Sequence, residues 1–250
     1  PRASIGAYQK MIEADYKSAA VVWNSHCDIG FHTGCGTDAA RAIPVIQGWL
    51  DDLNRTATPP RFAFVDAELR DQLTQNLSAE QDLVAAAEAD DGTAMDTAYI
   101  VSVYAINWTG VIVPAILGSR QVNAALYASS VSEHRADLDF CVLTCVLLIT
   151  QQDCTLGNIE HPCYDLIGDV AVRFTNFEAK LVQEAAPDSL ATRDSQLQAD
   201  LVQANRILLT WRRAIGASDQ AAVDAGVGQI KAIILKIDRD ADSIAQVVGP

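Results

Sequence analysis

Apolar residues recur three and four positions apart through most of the chain, a period that predicts helices rather than strands. The clearest stripe is Ile167, Val170, Phe174, Phe177 and Leu181, and after Pro187 a second runs through Leu197, Leu201, Ala204, Leu208, Trp211 and Ile215. A third, from Val223 through Val227, Ile230, Ile234, Ile237 and Ala241 to Ile244, opens at Ser218 or Asp219, either of which can cap it. The segment 130–151 supplies a fourth: Ser130 and Glu133 have capping-box spacing, and Leu138, Cys141, Cys145 and Leu148 continue an apolar face. No run with strand period competes in length.

The pattern repeats. A gap-free shift of 128 positions lays Cys35 on Cys163, Trp49 on Phe177, Leu53 on Leu181, Pro59 on Pro187, Asp66 on Asp194, Leu73 on Leu201 and Asp91 on Asp219. Self-similarity at a fixed period marks a repeated folding unit. Mapping the stripes back puts the first copy's helices at 5–25, 37–55, 65–89 and 91–117. Pro59-Pro60 and Pro187 break the second helix from the third in each copy, and Asp91-Gly92 mirrors Ser218-Asp219 at the turn into the fourth. The expected fold is all-α: an internal duplication of two up-down-up-down four-helix bundles, tandem or fused, stabilised by disulfides. Residues 1–119 form the first repeat and 130–250 the second, with the boundary in 119–129.

Segment 97–117 carries no formal charge and is long enough to cross a hydrocarbon core of ~30 Å. Its counterpart, 225–246, contains Lys231, Lys236, Asp238, Arg239, Asp240 and Asp242, so a buried bundle helix is the better reading. Gly110 and Pro114 are expected to kink or end it. Membrane contact is then expected only through an anchor outside this sequence.

Composition sharpens the class. Half the residues are hydrophobic and a fifth charged, as in globular proteins. The net charge of −14, with no cluster of Lys and Arg, repels nucleic-acid phosphates and anionic lipid, leaving a protein partner or an apolar small molecule as the expected ligand. Six cysteines without a C-x-x-C pair exclude the usual zinc-ribbon and thioredoxin spacings and point to disulfides, hence to a secreted protein of the cell envelope or extracellular space. The repeat pairs Cys27 with Cys35 and Cys154 with Cys163, each closing the loop between the first two helices of its copy. Cys141 and Cys145, one helical turn apart, are poorly placed to bond each other. The competing arrangement is a ladder joining Cys145 to Cys154 and Cys141 to Cys163.

Candidate chemistry is sparse. His26, His32 and His161 lie in or beside the cysteine loops and are the candidate ligands for a metal ion or haem iron, although no H-x-x-x-H or E-x-x-H spacing supports them. Asn54, Asn76 and Asn107 head Asn-x-Ser/Thr sequons and are candidate glycan acceptors; the second copy keeps none of the three. The run from Asp238 to Ser243 starts like a calcium loop but lacks the required Gly and terminal Glu. Nucleophile elbows, phosphate loops, dinucleotide fingerprints and H-E-x-x-H pairs are absent, so no enzyme and no cofactor is expected. The expected function is non-enzymatic binding through an interhelical groove lined by Trp23, Trp49, Tyr99, Tyr104, Trp108 and Trp211. The alternatives are a metal or haem carrier using the loop histidines and a subunit of an extracellular assembly, including a homo-oligomer.

Overall fold

The computed structural model describes residues 4–23, 27, 30, 32–151, 162–216 and 219–246, with backbone alone at 139–151, 162–166, 215, 216 and 227. The described chain is all-α apart from one two-residue strand pair. Its helices are α1 (Ile5–Trp23), α2 (Cys35–Arg55), α3 (Ala63–Glu88), α4 (Gly92–Leu117), α5 (Ala124–Gln151), α6 (Pro162–Gln183), α7 (Ala191–Gly216) and α8 (Gln220–Ala245). Two compact units result, Pro1–Leu117 and Gly118–Pro250. The division falls at 117/118, and 118–129 belongs wholly to the second unit.

In the first unit α1 packs on α2, α2 on α3, α3 on α4 and α4 back on α1. Tyr8, Ile12, Ile46, Trp49, Leu53, Leu69, Leu73, Trp108 and Ile112 fill the centre. The Tyr8 ring stacks on Phe62 at 5.4 Å, and its hydroxyl donates to Asp66 Oδ1 at 2.7 Å. Thr58 and Arg70 Nε donate to the other oxygen at 2.8 and 2.7 Å, so the buried carboxylate is fully engaged. Asp66 stands in the first turn of α3, where an acid suits the helix dipole, but its side chain also ties α1 to α3. Asp91 Oδ1 accepts from Ala94 N at 3.0 Å and caps α4.

Helix α4 does not end at Gly110 or Pro114 but runs through both to Leu117 as one element. Ile112, Val113 and Ile116 hold that stretch in the core, and Gln9 Nε2 donates to the terminal carbonyls of Ile116 and Leu117 at 2.7 and 3.2 Å. It is the one helix, among the described residues, long and apolar enough to cross a membrane, with a mean hydropathy of 1.8 over its best window; 61% of that window is buried inside the protein.

In the second unit the packing order is α5 on α6, α6 on α7, α7 on α8, and α8 on α5. Tyr127, Ile167, Val170, Phe174, Phe177, Leu197, Leu201, Leu208, Trp211 and Ile230 are buried there. The Tyr127 hydroxyl bonds to Asp194, which also accepts from Gln198 at 2.8 Å. Asp219 caps α8 through Ala222 N at 3.0 Å. Gly226 is needed where it stands, since a Cβ would lie 2.9 Å from the Trp211 ring. Strands β1 (Arg120–Gln121) and β2 (Glu184–Ala185) pair in parallel beside the start of this unit.

The limits of α3 and α7, and of α4 and α8, are 128 residues apart, as are the short 3-10 turns Pro60–Phe62 and Asp188–Leu190. The first helices keep a different register. Ser4 and Asn123 cap α1 and α5 through Ala7 N and Leu126 N, and Tyr8 and Tyr127 make the matching bonds to Asp66 and Asp194, which sets that offset at 119. Nine extra residues therefore follow the start of α5, and they lengthen the helix itself: α5 has 28 residues against the 19 of α1. This overturns the capping-box start at Ser130: α5 begins at Ala124, and Ser130 is a buried residue inside it. A rigid 128-residue shift cannot register a helix that precedes the insertion.

Candidate functional site

The first unit encloses a cavity of about 220 Å³. Helix α1 contributes Val22 and Trp23, α2 contributes Asp38, Ala39 and Ala42, and α3 contributes Glu80 and Leu83. Helix α4 contributes Tyr99, Ser102, Val103, Ile106 and Asn107, and Cys27 and Cys35 complete the lining. Those two cysteines are bonded to each other, with Cα atoms 4.9 Å apart. The bridge sits at the start of α2, whose N-cap Gly34 takes φ of +90°, a conformation that glycine adopts without strain. Next to it, Gly36 meets Ala87 so closely that a Cβ would lie 2.7 Å from the Ala87 methyl. Glycine on both sides of Cys35 thus lets the bridge and α2 sit against the end of α3.

A chain of buried polar groups crosses the cavity wall. Trp23 Nε1 donates to Asn76 Oδ1 at 3.1 Å; Asn76 Nδ2 donates to Ser102 Oγ at 3.0 Å and to Glu80 Oε1 at 3.3 Å; and the Ser102 hydroxyl donates to the same Oε1 at 2.6 Å. Asn76 is 0% exposed, Ser102 3% and Glu80 5%. Both bonds to Glu80 fall on Oε1, and among the described residues no hydrogen bond reaches Oε2. Burial pushes the Glu80 carboxyl above its ordinary range; the donors Ser102 and Asn76 pull the other way, and the Asp38 charge adds to the rise. Asp38 itself lies 3.5 Å from Arg41, whose side chain is largely in solvent.

The second unit shows what this framework holds when it carries no such wall. At the positions 128 residues on, Asn76, Glu80 and Ser102 become Ala204, Leu208 and Ile230, all buried, and Asp38 becomes Leu166. The small residues Ala39 and Ala42 become Ile167 and Val170, both buried in the core. Six of the positions that make the first unit polar or hollow are thus larger or apolar in the second. The second unit buries a carboxylate and an amide of its own, Glu178 and Asn205, both 0% exposed and 3.5 Å apart, so burial alone does not mark a site; the first unit's set is the candidate because Glu80 and Ser102 also line the cavity.

The aromatic candidates divide. Trp23 and Tyr99 line the cavity. Trp49 lies behind it, its ring 6.1 Å from Trp23 and 6.4 Å from Tyr16, while Tyr104 and Trp108 are core residues outside the lining. Trp211 belongs to the second unit. Of the sequons, Asn54 is exposed and accepts from Arg70, Asn107 is exposed at the cavity edge, and Asn76 is wholly buried in the polar chain, which leaves no space for a glycan on the folded protein.

His32 Nε2 lies 2.9 Å from Asp96 Oδ1, which also accepts from Gly30 N at 3.1 Å; this contact latches the cysteine loop to α4. His26 and His161 lie outside the described residues. Among the described residues no group of three or more His, Cys, Asp and Glu side chains is placed to hold a metal ion. Cys154 also lies outside the description, and Cys141, Cys145 and Cys163 are described only as helical backbone. Glu80 and Ser102 carry no motif and Asn76 only a sequon, but their mismatch with Ala204, Leu208 and Ile230 was a signal available in the sequence. Comparison with known proteins returns no family model, no curated protein and no solved structure that matches this chain.

Proposed function

We propose that the chain is a non-enzymatic ligand-binding protein of the cell envelope or extracellular space, descended from a duplicated four-helix bundle. In this reading the first copy holds a small ligand between its helices, and the second keeps the filled version of the same framework as support. The observation that carries it is the cavity itself: about 220 Å³ walled by Trp23, Tyr99 and the Glu80 network, at positions whose counterparts are bulky or apolar. An engineered cavity of about 150 Å³ binds benzene, so this volume suits a ligand of one ring rather than a drug-sized molecule. The Cys27–Cys35 bridge supports the reading, because a covalent brace along one wall would hold the space open against collapse. The cysteines and the acidic charge favour export over nucleic-acid work.

The test is calorimetric titration of the full chain with benzyl alcohol, a neutral one-ring probe. Saturable binding by the native chain, lost in the double variant Ala39→Ile/Ala42→Val, supports the cavity. Equal binding by both proteins, or none by either, defeats it.

A further inference from the structure

We propose that the ligand is a small organic cation, a primary amine on a single ring or short apolar body, whose ammonium group is received by Glu80. This rests on the cavity being a binding site and adds the chemistry of its occupant. Glu80 is 5% exposed, lines the cavity, and receives both its bonds on Oε1. Ser102 and Asn76 hold that oxygen, and Oε2 is the acceptor left for an incoming donor. A carboxylate and aromatic rings lining one cavity is the pairing that recognises ammonium: a charge-assisted hydrogen bond to the head from Glu80, and the rings of Trp23 and Tyr99 for the charge and the apolar body.

The surrounding charges agree. Among the described residues, the cavity wall contains two acids, Asp38 and Glu80, and neither lysine nor arginine. Arg41 pairs with Asp38 at 3.5 Å, and its own side chain is largely in solvent. An anionic ligand would meet Glu80 with no compensating charge. A neutral ligand would leave a buried carboxylate unpaired, the more costly arrangement. The chain's net charge of −14 draws cations toward it from solution. Burial raises the Glu80 carboxyl, and a bound ammonium would lower it again, so binding near that value should expel a proton.

The experiment titrates the full chain with benzylammonium, benzyl alcohol and benzoate at pH 7, measuring heat in two buffers of different ionisation enthalpy. Benzylammonium should bind about tenfold or more tightly than benzyl alcohol, as expected where one partner of a hydrogen bond becomes charged, and benzoate should bind weakest. Its affinity should fall as pH is lowered through the Glu80 transition, and titrations repeated across that transition in the two buffers should report proton release as buffer-dependent heat. Glu80→Gln keeps the shape of the side chain and should reduce the preference for amine over alcohol to within about threefold. If benzyl alcohol binds as well as benzylammonium, or Glu80→Gln leaves the preference intact, the cation assignment is wrong while the cavity reading stands. If no probe binds, both fail.

Discussion

Replacing Ala39 and Ala42 by the residues found 128 positions later, Ile and Val, should fill the cavity and stabilise the protein while removing its binding. The magnitude follows from the geometry. Both alanines are 2% exposed on the cavity wall, and the exchange adds five carbon groups to the interior. At about 0.8 kcal/mol per buried methylene the transfer gain is about 4 kcal/mol. A wholly apolar void of 220 Å³ would cost about 5 kcal/mol at ~24 cal/mol per Å³, so the gain is of the same order as the cost of keeping the space open. The wall is partly polar, and inserted groups fit imperfectly, which takes back about 1–3 kcal/mol. A net stabilisation of about 2 kcal/mol is the expected result, read as an upward shift of the urea midpoint at constant slope, followed by tryptophan fluorescence. A loss of 2 kcal/mol or more would mean that the alanines face close-packed atoms and that no usable space lies between these helices.

Three other outcomes follow from the same contacts. Because burial raises the Glu80 carboxyl, the folded chain holds that proton more tightly than the unfolded chain; the associated stability is full below about pH 4 and is lost as pH rises through the folded value. Glu80→Gln should therefore gain stability over the native chain at pH 7 and not at pH 4, in paired denaturation curves; Asp15, pushed up to about 6 by burial and Asp52, is common to both proteins and cancels. Cys27→Ser/Cys35→Ser opens a loop of sequence separation 8 and should cost about 2.5 kcal/mol by the loop-closure estimate, checked by the same titration with and without reductant. Tyr8→Phe removes one of three donors to Asp66 and should cost about 1–2 kcal/mol while leaving ligand binding unchanged, measured by thermal melting beside a benzylammonium titration.

The helical periods were legible because amphipathic stripes are written in the sequence at full strength, and Pro59-Pro60, Pro187, Asp91 and Asp219 marked real turns and caps. The start of α5 was not. Its true cap, Asn123, precedes a nine-residue insertion that the fixed shift could not cross, so Ser130 and Glu133 stood in for it. The partnership of Tyr8 with Asp66 was hidden for the same reason: it joins a helix in one register to a helix in another. Pro114 read as a break because proline removes a backbone donor, but the packing of Ile112, Val113 and Ile116 and the bonds from Gln9 outweigh that loss. At the site, Trp23 and Tyr99 were visible as aromatics, as were Trp49, Tyr104, Trp108 and Trp211, and only three-dimensional packing separates lining from core. Glu80 and Ser102 belong to no motif, and Asn76 belongs only to a sequon. Asking which residues of one unit are polar where the other is apolar 128 positions away would have found all three, and asking where one is small and the other large would have found the hollow at Ala39 and Ala42.

The central claim is that the first unit carries a small molecule in this cavity, and native mass spectrometry of the chain purified from its own source tests it most directly. The account predicts a mass excess of one small basic molecule per chain. The excess should be absent from Ala39→Ile/Ala42→Val prepared in the same way, with both proteins folded by circular dichroism. A bare chain in both preparations, or the same adduct on both, would contradict it.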